Sequence, residues 1–214
     1  MPIPYSNLTF PGRLRRLRRL AEAALACYDL DRPQIDFYAF ETNLHFRVIT
    51  ASGERYMLRL ASPGWRTFED LLSEALWLDT LARQTSIPVP AVVPARSGEC
   101  VLPVSAPGVD AAWNVTLMSW VPGRRLGHYL NERNLEKMGA LFAALHQHGA
   151  AWKPPEGFTT RRFEHWLSRG EENKITGGGP LPEGLPEGAR GLLARVEEQV
   201  EAAYAAADRA DLRV

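Results

Sequence analysis

The chain has 214 residues, enough for one sizeable domain or a domain with an attached lobe. Lys+Arg and Asp+Glu each number 25, so the formal charge is zero, and the composition argues against bulk attraction to nucleic acid or to an anionic membrane. Cys27 and Cys100 have no partner motif or zinc spacing, no apolar run is long enough to span a bilayer, and the first ten residues lack a signal-peptide pattern. The expectation is a cytoplasmic protein with two reduced thiols.

Met1 to Gly12 reads as irregular. Arg13 to Leu30 then places Leu14, Leu17, Ala21, Ala24, Leu25 and Tyr28 at helical spacing. Five arginines fall within Arg13–Arg19. They read as a solvated helix face, because Glu22 follows and the whole chain is neutral.

From Gln34 the period becomes two. QIDFYAFET and LHFRVITA read as strands around a turn at Glu41-Thr42-Asn43. A second turn at Ala51-Ser52-Gly53-Glu54 returns the chain as RYMLRLA, completing an antiparallel meander. After Ser62-Pro63-Gly64 a helix is expected, with Thr67 as its N-cap and the acids Glu69 and Asp70 in its first turn. Glu74 falls between Leu78 and Leu81 on the helical wheel, so it faces the sheet. Asp79 falls in the same arc. On periodicity alone, the plainer reading of Glu74 is a rim acid paired with any nearby arginine.

AVVPARSGECVLPV reads as a hairpin turning at Ser97-Gly98, with Pro94 and Pro103 marking strand ends or an edge. WNVTLMSW is strongly strand-forming and stops at Val121-Pro122-Gly123. The count is five strands with one inserted helix. Helices are then expected around Leu135, Met138, Leu141, Phe142 and Leu145, and around Leu192, Leu193, Val196, Val200 and Tyr204. His146 and His148 are two apart, do not share a helical face, and make a poor metal pair. Gly177-Gly178-Gly179 lacks the GK[ST] ending of a phosphate loop and reads as a surface loop.

This order of elements resembles the aminoglycoside phosphotransferase and choline kinase-like family, distant relatives of protein kinases. RYMLRLASPGW is similar to the family's third strand, and SEALWLDTL followed by IPVPAVV to its helix and fourth-strand entry. TLMSWVPGRRL is similar to its hinge, and MGALFAALHQHGAAWKPPEGF to its first large-lobe helix. The resemblance implies an α+β, protein-kinase-like fold. It would comprise an N-terminal segment with a basic helix over 1–30, a five-stranded antiparallel N-lobe over 31–121, and a hinge with a partial helical C-lobe over 122–214. It also implies ATP and Mg²⁺ as cofactors and a small-molecule hydroxyl acceptor, with neither nucleic acid nor membrane as partner.

The resemblance further implies a set of nucleotide-binding positions. Arg59 stands where the family's phosphate-contacting cation sits, usually lysine, and Glu74 where the helix acid pairs with it. Main-chain groups of Ser119, Trp120 and Val121 would meet adenine, with Met118 lining the back of the pocket. The turn from Glu41 to Asn43 would cover the phosphates, without the glycines of the protein-kinase loop. An arginine can hold phosphate and pair bidentately with a carboxylate, although it is larger than lysine and always charged.

Phosphoryl transfer also needs a catalytic aspartate and metal-binding residues, which the family carries in an H-x-D-x-x-x-x-N loop and a following acidic segment. None of the five histidines has Asp two residues later, and no Asp has Asn five residues later. Ile35-Asp36-Phe37 lies before the third strand and reads as strand. Asp211-Leu212-Arg213-Val214 looks like the apolar strand that leads into the missing loop, so the chain reads as cut before its catalytic and metal-binding motifs. The alternative is a non-catalytic, regulatory nucleotide-binding module.

Overall fold

The computed structural model describes residues 4–124, 126–159, 165–167, 175–180, 183–186 and 188–207. Residues 161–164 and the expected strand at 211–214 lie outside them. The chain forms two compact units, Met1–Thr159 and Thr160–Val214.

In the first unit, helix α1 spans Phe10–Leu25, with Pro11 in its first turn, where a missing N–H does no harm. It therefore starts before the expected Arg13 and ends before Leu30. Leu17, Leu20, Ala21, Ala24 and Leu25 are buried along one side. The arginines lie outside that stripe. Arg18 pairs with Glu22 at 3.2 Å, and Arg16 donates to the Gly108 carbonyl at 2.5 Å.

Strands β1 (Gln34–Phe40), β2 (Asn43–Ile49) and β3 (Arg55–Ala61) form the meander. Gly53 has φ +87°, a conformation that suits glycine, and its N–H donates to Thr50 O at 3.0 Å, fixing the β2–β3 turn. Helix α2 (Phe68–Gln84) starts with a reciprocal cap. Thr67 Oγ1 accepts from Asp70 N at 3.2 Å, and Asp70 Oδ2 accepts from Thr67 N at 3.0 Å.

The sheet has six strands rather than five. The segment after α2 yields two short strands, β4 (Val92–Val93) and β5 (Leu102–Val104), and both pair antiparallel with β6 (Trp113–Ser119). They therefore run in the same direction, one after the other along β6, and do not form a hairpin with each other. The turn between them exists, closed by Ala95 N to Glu99 O and Gly98 N to Ala95 O, both at 2.9 Å. Pro103 is tolerated because β5 lies at the rim of the sheet.

The strand order is β1-β2-β3-β6-β4. Alternation gives the sheet two distinct faces. Leu44, Phe46, Val48, Leu58, Leu60, Val115 and Leu117 pack with α1 in the main core. On the other face Ala61 packs with Leu71 of α2 and with Val101. Trp77 of α2 lies edge-on to Trp152, with ring centroids 4.6 Å apart, and tilts against His148. Those residues belong to helix α3 (Glu132–Ala151) and its C-cap. No α3 residue is buried, and Leu135, Leu141 and Phe142 are exposed.

In the second unit, helix α4 spans Ala189–Ala206. Its Glu201 accepts from Trp166 N at 2.7 Å, and that bond, more than the nearby His165, holds the carboxyl below its usual range. Among the described residues no helix is long and apolar enough to cross a membrane.

Thr67→Ala removes the α2 cap. The expected cost is about 1 kcal/mol, read as a lower urea midpoint at unchanged m-value.

Candidate functional site

The face of the sheet away from α1 gathers polar and charged side chains that the core excludes. The antiparallel register sets them in rows. His45, Arg59 and Thr116 lie side by side across β2, β3 and β6, flanked by Asn43, Ala61 and Asn114 on one side and by Arg47, Met57 and Met118 on the other. Asn43, Arg59 and Met118 thus share a face because their positions share a parity. Ser119 falls on the opposite parity, so only its main chain can serve this surface.

Arg59 is buried, with 9% of its surface accessible. A guanidinium at that depth requires compensating partners. Its Nη1 donates to Glu74 Oε1 at 2.8 Å and its Nε to Thr116 Oγ1 at 3.2 Å. Its Nη2 donates no hydrogen bond among the described residues. Glu74 is brought to the sheet by α2, as its position on the wheel requires, whereas Asp79 turns outward to Arg83. Glu74 Oε2 is buried without a hydrogen bond and lies 3.8 Å from Arg66 Nη1. Arg66 Nε and Asn43 Oδ1 are also buried without partners.

At the end of β6, Ser119 N donates to Ala91 O at 2.8 Å and Trp120 N to Arg55 O at 3.0 Å. The Val121 N–H has no partner among the described residues. Met118 is buried, and Met57 beside it is half-buried. The Trp120 ring meets Tyr38 edge-on, with centroids 5.4 Å apart and planes at 89°. Tyr38 is the extra residue of a bulge in β1 between Phe37 and Ala39.

His45, Met57, Arg66 and Thr116 escaped the sequence reading. A signal for His45 was present. Counting equally from both ends of the turn at Thr50–Glu54 sets His45 opposite Arg59. The His45 imidazole is half-buried, and burial, then the neighbouring Arg59, holds its pKa below the usual histidine value.

Among the described residues no group of three or more His, Cys, Asp or Glu side chains is placed to hold a metal ion. A separate cavity of about 590 Å³ lies between the end of α1 and the start of β1, lined in part by Arg18, Tyr28, Gln34 and Arg96. Its arginines are already engaged, Arg18 by Glu22 and Arg96 by the Ala26 carbonyl.

A twisted antiparallel sheet with a buried cation on its third strand, an inserted helix supplying the paired acid, and a hinge into helices defines a protein-kinase-like fold. The chain matches the model of the phosphotransferase enzyme family over residues 41–213, and it belongs to that family. The solved structure of a microcompartment-associated aminopropanol kinase superposes with a TM-score of 0.61 at 25% identity, covering 85% of this chain and 55% of that one. Amicoumacin kinase hAmiN, solved with AMP-PNP, Ca²⁺ and Ami, superposes with a TM-score of 0.64 at 19% identity, covering 95% of this chain and 58% of the kinase. The chain therefore spans little more than half the length of these structures. No curated protein matches it.

Glu74→Ala leaves Arg59 buried beside a hydroxyl alone. With the Arg59 side chain 10% exposed and that of Glu74 29% exposed, the pair is shielded enough for the change to matter. The expected loss is about 3 kcal/mol, and Arg59→Met in the same background should recover part of it in urea unfolding.

Proposed function

We propose that this chain carries the nucleotide-holding part of a phosphotransferase that moves a phosphoryl group from ATP to a hydroxyl of a small molecule. The observation that carries the reading is the Arg59–Glu74 contact at 2.8 Å on the face shared with Asn43 and Met118. Glu74 and Thr116 hold the guanidinium in place, which leaves Nη2 for a phosphate oxygen. A donor held in advance loses little freedom on binding. Met57 and Met118 offer an apolar surface to the adenine ring, and the Val121 N–H, unpartnered among the described residues, offers a hydrogen bond to its edge beside the Ser119 and Trp120 main chain, whose N–H groups are held by Ala91 and Arg55. The turn at Glu41–Asn43 joins β1 to β2, the strand beside Arg59.

ATP supplies the phosphoryl group when bound, and these residues orient it. Magnesium is the metal the family implies, and among the described residues no group of three or more His, Cys, Asp or Glu side chains is placed to hold it. The reading places the protein in the cytoplasm, where ATP is abundant and Cys27 and Cys100 stay reduced.

A second reading keeps the pocket and drops the chemistry, giving a regulatory nucleotide-binding module. H-x-D-x-x-x-x-N does not occur within these 214 residues, which is compatible with both readings. Both readings predict binding without turnover by this chain. The coding DNA beyond codon 214 separates them, since that motif in any frame supports a catalytic parent.

In calorimetry, ATP should bind the purified chain, and Arg59→Gln should weaken binding by about tenfold or more, the worth of one charge-assisted hydrogen bond. No phosphate should pass to added hydroxyl compounds. Absence of ATP binding would overturn both readings, and stoichiometric Mg²⁺-dependent phosphorylation would overturn the claim of catalytic incompleteness.

A further inference from the structure

His45 has no role in the account so far, yet it stands directly beside Arg59 in the sheet. Cross-strand partners on one face have their Cβ atoms about 5 Å apart, so one anion can reach both side chains. We propose that His45 is a second, proton-dependent contact for the phosphate groups of the nucleotide, working beside Arg59. This inference rests on the nucleotide reading and goes beyond it by assigning a residue and a pH dependence.

The charged surroundings of His45 define the behaviour. From β3 it faces Arg59. From the preceding turn it feels Glu41, and the Asn43 carbonyl lies within hydrogen-bonding reach of its ring. Its partner on β1 is Ala39, which carries no charge. Arg47, two residues along β2, is tied to Asp36 at 3.0 Å. On α2, Glu74 is engaged by Arg59 and approached by Arg66. His45 is therefore an imidazole next to a guanidinium, with Glu41 as the carboxylate that acts on it from the turn. A proton on His45 is disfavoured there by burial and by Arg59.

A phosphate bound at Arg59 changes that balance. It brings negative charge beside the imidazole, and its oxygens accept from a protonated ring. Phosphate binding and protonation of His45 then favour each other. The sign follows directly. Bound nucleotide raises the His45 pKa, so binding takes up a proton. Affinity strengthens as pH falls through the pKa of the bound state, and levels off below that of the free state.

The test uses the whole chain and metal-free ATP at pH 8, 7 and 6. Each unit by which binding raises the imidazole pKa adds up to about tenfold in affinity. The wild-type chain should gain several-fold more affinity between pH 8 and pH 6 than His45→Gln does, and the variant subtracts the titration of ATP itself. In the unaltered chain, NMR titration of the His45 ring should show a higher pKa with ATP than without. If ATP binds but the two chains share one pH profile and the ring pKa is unmoved, the role of His45 falls while the nucleotide reading stands. If ATP does not bind at any pH, both fall.

Discussion

Burying Arg59 constrains everything around it. A guanidinium 9% exposed requires an acid and a further acceptor within reach. Glu74 and Thr116 meet that need from two different elements. Their convergence fixes how far α2 sits from β3, and which face of β6 turns toward the helix. A shift of one residue in either strand pairing would send Arg59 into the α1 core and bring Leu58 or Leu60 out. The apolar core and the polar face thus specify the same register, one by what it excludes and the other by what it gathers.

The two faces divide the labour. Toward α1, continuous apolar contact from Leu44 to Leu117 holds the sheet together. Away from α1, polar atoms remain without hydrogen bonds at Asn43, Arg66 and Glu74. Unpaired buried groups are costly, and a polar ligand on this surface can satisfy these three, whereas Arg13 Nε, Tyr28 Oη and His148 Nε2, also buried without partners, lie elsewhere. The same surface carries two methionines beside the hinge, suited to a flat apolar ring. A nucleotide has both characters, anionic at one end and apolar at the other.

Much of this was legible in the residues. The meander followed from period-two alternation and the glycine at the Thr50–Glu54 turn. The N-cap of α2 followed from Thr67 and the sheet-side place of Glu74 from the helical wheel, whereas its pairing with Arg59 came from the family resemblance, since the wheel alone left any nearby arginine as its partner. How β4 and β5 pair was not legible, because AVVPARSGECVLPV reads as a hairpin of its own while both short strands pair with β6, distant in sequence. His45 was hidden for a different reason. Its meaning lies in the neighbour across the ladder, which appears only when the turn is used to count register. Arg66 gains its place from the geometry of the Ser62–Thr67 connection, which no pattern of residue types specifies.

We propose that the face bearing Arg59 is the nucleotide surface. Chemical-shift mapping of the methyl groups during an ATP titration tests it most directly. The account predicts concentrated shifts at Met57, Thr116 and Met118, with Leu17, Leu20 and Val48 of the opposite core unmoved. Shifts confined to the cavity around Tyr28 and Ile35, with Met57 and Met118 silent, would contradict it.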